Sequence, residues 1–225
     1  MKGTLLKLAL ASALLLPSAE ASAQLDLGRL LSAGTKTIQA FTISDSQMAQ
    51  YVKATVEKMD NENSVAAAND PYTVRLLKIT QGMTSADGIP LNFKVYKTQE
   101  VNAFACPDGS VRVYTGLMDL MDDSEVLGVV GHEIGHVAKH HSKKAMKQQL
   151  MNGALFDVLA STNGTVAALT DSQLGTLAQS FLSAKYSRKK ENEADDAGYE
   201  LLVKTAKHPW AIAMEGEQMQ QFEGS

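Results

Sequence analysis

The chain has 225 residues, of which 44% are apolar and 20% charged, a balance that suits one compact domain with a buried core and excludes both wholesale disorder and a polytopic membrane protein. Its formal net charge of −4 provides no basic footprint for a phosphate backbone, so nucleic acid is not an expected partner.

The first residues have the form of an export signal. Lys2 and Lys7 precede or flank an apolar run, Leu8 to Leu16, and Ala21-Ser22-Ala23 makes a small-x-small cleavage site. The run is well short of the roughly 20 residues needed to cross a bilayer. We therefore expect a signal peptide over residues 1–23, export, and a mature domain over residues 24–225 that is helical up to about residue 84. No cysteine precedes Cys106, so no acyl chain is expected and any association with the envelope should be peripheral. Cys106 is the only cysteine, which excludes an internal disulfide and a multi-cysteine metal site; a buried, inert thiol is expected.

Ser44-Asp45-Ser46-Gln47 is a capping box, followed to about Asn61 by Met48, Val52, Val56 and Met59 at helical spacing. A second helix should start at Pro71 behind the cap Asp70, turn Val74, Leu76 and Leu77 inward, and end before Gly82. The period then changes to two: Leu91, Phe93 and Val95 alternate with Asn92, Lys94 and Tyr96, the signature of a strand. Residues 101–106 and 111–114 flank the turn Pro107-Asp108-Gly109-Ser110 and should form a hairpin. Asp122 to Glu125 is another capping box, from which one long helix is expected over about Ser124 to Leu150. The apolar, glycine-containing segment 151–169 reads as a helical hairpin completing the core, with a mobile flap or membrane-facing element over the site as the alternative. From the cap Thr170-Asp171-Ser172-Gln173 a helical pattern carries through Leu177, Phe181, the Glu191 region and Leu202.

Within the long helix, Gly131-His132-Glu133-Ile134-Gly135-His136 contains H-E-x-x-H. Residues four apart share a helix face, so the His132 and His136 imidazoles can reach one ion. Glu133 stands beside them, where its carboxylate can take a proton from the water such an ion activates. Two histidines and a glutamate on an otherwise apolar stretch would be costly without a metal or partners. A catalytic zinc takes three protein ligands. The version with a third histidine six residues on is excluded, because Lys139 and Ser142 stand where Gly and His are needed. His140 and His141 are expected to be solvated. No glutamate occurs between Glu133 and Glu191, which makes Glu191 the first one available as third ligand. Asp195 shares its helix face and is suited to orient a histidine ligand, while Glu193 should point elsewhere.

Three motifs in order resemble the peptidase family typified by the HtpX heat-shock protease and the CAAX prenyl protease, which are gluzincins. These are Asn102-Ala103-Phe104-Ala105 with Val113 to Leu117, then Gly131 to His136, then Ser187-Arg188 with Glu191, Ala194 and Asp195. The likeness runs from about Asp70 onward and is nearest to the family's periplasmic branch. It implies an α+β small-gluzincin fold, with helices on a roughly three-stranded antiparallel sheet. It also implies one zinc per chain held by His132, His136 and Glu191, with Glu133 as catalytic base and Asp195 behind the ligands. Asn102, Ala103, Phe104 and Ala105 would form a strand edge that receives a polypeptide substrate, a general mode of peptide binding. Misfolded or unassembled envelope proteins are the substrates the resemblance suggests. The rival reading is a chaperone-like assembly factor that binds clients by strand addition; the intact Glu133 beside an open coordination position argues for the enzyme.

Overall fold

A computed structural model of the chain describes residues 43–151, 169–205 and 207. The expected signal peptide and nearly all of the apolar segment after Met151 lie outside the described residues. Helices and small sheets alternate in an α+β arrangement. In order these are α1 (Asp45–Glu62), α2 (Pro71–Ile79), β1 (Ser85–Ala86), β2 (Ile89–Pro90), β3 (Asn92–Tyr96), β4 (Ala103–Ala105), β5 (Ser110–Tyr114), α3 (Thr115–Leu120), α4 (Asp123–Ala138), α5 (His141–Met151), α6 (Asp171–Leu182) and α7 (Arg188–Lys204).

The helix starts follow local chemistry. Ser44, Asp122 and Thr170 form capping boxes with Gln47, Glu125 and Gln173, and the Asp70 carboxylate accepts from the Tyr72 backbone N–H at the head of α2. Each satisfies donors that the first helical turn leaves free. The face of α2 differs from expectation: Thr73, Leu76 and Ile79 are buried, whereas Val74 and Leu77 are 54% and 50% exposed. This rotation buries Leu76 and Ile79 in the core and lets the Arg75 guanidinium bind the Met118 and Met121 carbonyls and the Asp123 carboxylate.

The main sheet has three strands in the order β3-β5-β4. β4 and β5 form the expected antiparallel hairpin, turning through Gly109 at φ +84°. β3 pairs with β5 in parallel, so the sheet is mixed rather than antiparallel throughout. The hairpin's return strand lies between β4 and β3, and the chain leaving β3 must pass the central strand before turning back.

Every residue of β5 is buried. Val111 and Val113 face a core shared with Val95 and with Val126, Val130, Ile134 and Val137 of α4. On the other face Arg112 is 2% exposed and is held bidentately by Asp60 of α1, with Nε to Oδ1 at 2.8 Å and Nη2 to Oδ2 at 3.0 Å. Lys94 Nζ and Tyr96 Oη also donate to Asp60, each at 2.7 Å. A buried arginine is tolerable only when paired in this way.

Two expected helices are each divided. The long one breaks after Ala138, because His140 adopts φ +56°, and α5 starts afresh at His141. His140 Nε2 pairs at 3.1 Å with Oδ2 of Asp87, which is itself at φ +47°. Residues 183–187 separate α6 from α7. Among the described residues, no helix is long and apolar enough to cross a membrane.

Candidate active site

The site lies where α4 meets α7. His132, Glu133 and His136 come from the last two turns of α4, and Glu191 and Asp195 from the first two turns of α7. The helices are close enough for this because Gly135 faces the backbone of Ala194. A Cβ on Gly135 would come within 2.0 Å of the Ala194 carbonyl oxygen.

The ligand atoms of His132, His136 and Glu191 converge. His132 Nε2 and His136 Nε2 are 3.1 Å apart, and Glu191 Oε2 lies 3.2 Å from His136 Nε2 and 3.3 Å from His132 Nε2. Tetrahedral zinc with bonds of about 2.0–2.1 Å sets its ligand atoms about 3.3 Å apart, so this triangle has the dimensions of one face of such a site. The donor set also fits: two imidazole nitrogens and a carboxylate oxygen are ordinary zinc ligands. His132 Nδ1–H donates to Asp195 Oδ1 at 2.6 Å. A carboxylate there holds the ring proton on Nδ1 and turns the Nε2 lone pair of the neutral ring into the triangle.

His136 is buried, and burial, followed by the nearby His132, His141 and Lys190 charges, pushes its pKa down to about 3. It is therefore a neutral imidazole, the form that binds metal. The Tyr186 ring stacks on it, with centroids 4.1 Å apart and planes 25° from parallel.

One expectation is corrected here. His141 is not solvated: it is buried, with Nδ1 3.1 Å from His136 Nδ1 and Nε2 3.0 Å from Glu193 Oε2. Glu193 stays out of the ligand triangle, as expected, and closes on His141. The contact between His136 and His141 was not legible from helical spacing. On a straight helix a residue five places on is rotated by about 140°, and only the break at His140 brings His141 back toward His136. Tyr186 was also missed, since a tyrosine in a short connection carries no periodic signal. His140 is partly exposed, as expected.

A cleft of about 340 Å³ opens over this group. It is lined by His132, Glu133, His136 and Glu191, and along one wall by Asn102, Ala103, Phe104 and Ala105. β4 is an edge of the sheet, so the expected substrate-binding segment and the expected catalytic group share one cavity. Cys106, which follows β4, is fully buried, and burial drives its thiol pKa well up.

Comparison with known proteins shows the family. The pattern of peptidase family M48 matches residues 46–214. The chain is 43% identical over 206 residues to Metalloprotease YcaL of Escherichia coli (strain K12), covering 91% of this chain and 81% of that protein. It is 40% identical over 200 residues to Metalloprotease LoiP of the same organism, covering 88% and 79%. A shorter match, 34% over 133 residues, joins 55% of the chain to 27% of the Beta-barrel assembly-enhancing protease of Escherichia coli O157:H7. The expected resemblance thus holds at the level of family and of its LoiP-like branch. With a match spanning most of its length and a histidine–glutamate centre of zinc dimensions, the chain belongs to peptidase family M48 and is a metalloendopeptidase.

Proposed function

We propose that the chain is an exported endopeptidase in which one zinc is held by His132, His136 and Glu191, with Glu133 as the catalytic base. The observation that carries this reading is the 3.1–3.3 Å triangle of ligand atoms, walled by the β4 edge and Glu133. A zinc ion bound there supplies Lewis acidity toward a peptide carbonyl and makes water more acidic.

The chain's own residues do the rest. An extended polypeptide adds to the sheet edge at residues 102–105, donating and accepting main-chain hydrogen bonds, so recognition depends weakly on its side chains. That edge leads the scissile bond past His132 and His136. Glu133, one position round the helix from His132, accepts a proton from the attacking water and can return it to the leaving amine. Asp195 keeps the His132 ring turned toward the triangle.

Export rests on the residue 1–23 signal, and a broad specificity suits misfolded or unassembled envelope proteins. The name of the Beta-barrel assembly-enhancing protease, a partial relative, supports that setting. Sequencing the N-terminus of the protein from a periplasmic extract should find Gln24 first.

The deciding experiment is casein digestion alongside zinc analysis for wild type and Glu133→Gln. Glutamine keeps the size and hydrogen bonding of the side chain but takes no proton, so proteolysis should fall by at least about 100-fold with zinc still near one per chain. A variant that cuts at the wild-type rate would overturn the mechanism; one that loses its zinc would make Glu133 a ligand.

A further inference from the structure

We infer that His141 and Glu193 form a relay that fixes the ring proton of His136 on Nδ1, and so hold its Nε2 ready to bind metal. The inference rests on the zinc site proposed above, and concerns two residues with no part in ligation or proton transfer to substrate.

The proton positions follow from the partners. His141 Nε2 lies 3.0 Å from Glu193 Oε2, and an ionised carboxylate only accepts, so His141 Nε2 carries a hydrogen. His141 is buried, which disfavours a second, charging ring proton, so its Nδ1 is bare. That atom faces His136 Nδ1 at 3.1 Å, a contact in which one nitrogen must donate and the other accept. His136 Nδ1 is therefore the donor. Its Nε2 is left as a lone pair, and Nε2 is the atom that meets His132 and Glu191.

The two histidine ligands are thus supported differently. His132 is backed directly by the Asp195 carboxylate, 2.6 Å away. His136 lies deeper, and its carboxylate acts at one remove through the His141 ring. Histidine ligands generally need such a partner to fix tautomer and orientation. His141 meets this need from a buried position at the head of α5, where the left-handed turn of His140 delivers it. Glu193 reaches it from α7, two residues from Glu191, so α7 supplies the third ligand and the anchors of both histidines.

These are positioning residues, and two measurements test the role. In the full-length wild-type protein with ¹⁵N-labelled histidine, long-range nitrogen–proton NMR should show His141 protonated on Nε2 and not on Nδ1. It should also show a scalar coupling between His136 Nδ1 and His141 Nδ1 across their hydrogen bond. A hydrogen on His141 Nδ1 would overturn the relay without reference to any variant.

The second measurement is zinc affinity by competition with a chelator, using zinc alone as the probe. His141→Phe keeps a ring but offers no acceptor and should weaken zinc by roughly 10- to 100-fold, whereas His141→Asn, whose Oδ1 can stand in for Nδ1, should stay within about threefold of wild type. Equal affinity for Phe and wild type, or equal weakness for Phe and Asn, would refute the relay. Failure of the zinc reading looks different: zinc would survive His136→Ala, while the NMR result would still decide the proton positions.

Discussion

Gly135 and Ala194 touch backbone to backbone, with the position of a Gly135 Cβ only 2.0 Å from the Ala194 carbonyl oxygen. Each glycine-sized gap of this kind sets a distance between two helices, and here it sets the distance between His132 or His136 and Glu191. Gly135→Ala must push α7 outward. Overpacking of this sort costs about 1–3 kcal/mol, so thermal unfolding should shift down by several degrees. Zinc affinity should fall more than the stability change alone would suggest. A variant with wild-type zinc affinity would show that the helices can part without disturbing the triangle.

Asp195→Asn tests the support behind His132. The Asn amide can still lie near Nδ1 but carries no charge and can present an N–H where an acceptor is needed. Zinc affinity or peptidase activity should drop by about 10- to 100-fold without being abolished. Chelator competition measures the first and casein digestion the second. An unchanged variant would remove Asp195 from the site.

Asp60 makes a prediction about acid. Its burial would by itself raise the pKa, but hydrogen bonds from Arg112, Lys94 and Tyr96 outweigh this and bring it down to about 2. A carboxylate whose folded pKa lies below its unfolded value of about 3.9 adds stability that is fully present above pH 4. That contribution, on the order of 2 kcal/mol, is lost as pH falls from about 4 toward 2. Urea unfolding followed across that range should show the loss in wild type. Asp60→Ala should be destabilised by about 3–5 kcal/mol at neutral pH, because it strands the buried Arg112 charge. Asp60→Ala combined with Arg112→Met should recover much of that, and a double variant as unstable as the single would refute the account.

Cys106 should be inert. It is fully buried and burial raises its pKa, so little thiolate is present and reagents cannot reach it. Iodoacetamide should leave the native protein unmodified by mass and label one site in denaturant. Rapid labelling of the native protein would mean that the β4–β5 turn opens.

Local chemistry made much of this protein legible from sequence. The capping boxes at Ser44, Asp122 and Thr170, the Pro107–Ser110 turn and the strand β3 each involve residues within four or five positions and appear as expected, although burial along β3 does not alternate, since Tyr96 is buried beside Val95. The same holds for His132 and His136, which share a face because a helix repeats every 3.6 residues. Glu191 was pointed to by the absence of glutamate between it and Glu133 and by the family resemblance, and Asp195 by its spacing from Glu191 on one helix; the structure brings both beside the two histidines.

Tertiary structure decided whatever depended on contact between distant segments. The parallel pairing of β3 with β5 depends on which strand the hairpin presents to its neighbour, and no local pattern records that. The buried face of α2 depends on contacts with distant segments, Leu76 and Ile79 in the core and Arg75 with residues more than forty positions away. Arg112 looked like an ordinary strand residue until Asp60 of α1 closed on it. His141 is the clearest case. Its place behind His136 requires a left-handed residue at His140, itself paired with Asp87 from a different part of the chain, and a carboxylate from α7. Periodicity can assign a side chain to a helix face only while the helix is straight, and a break converts a solvated position into a buried one.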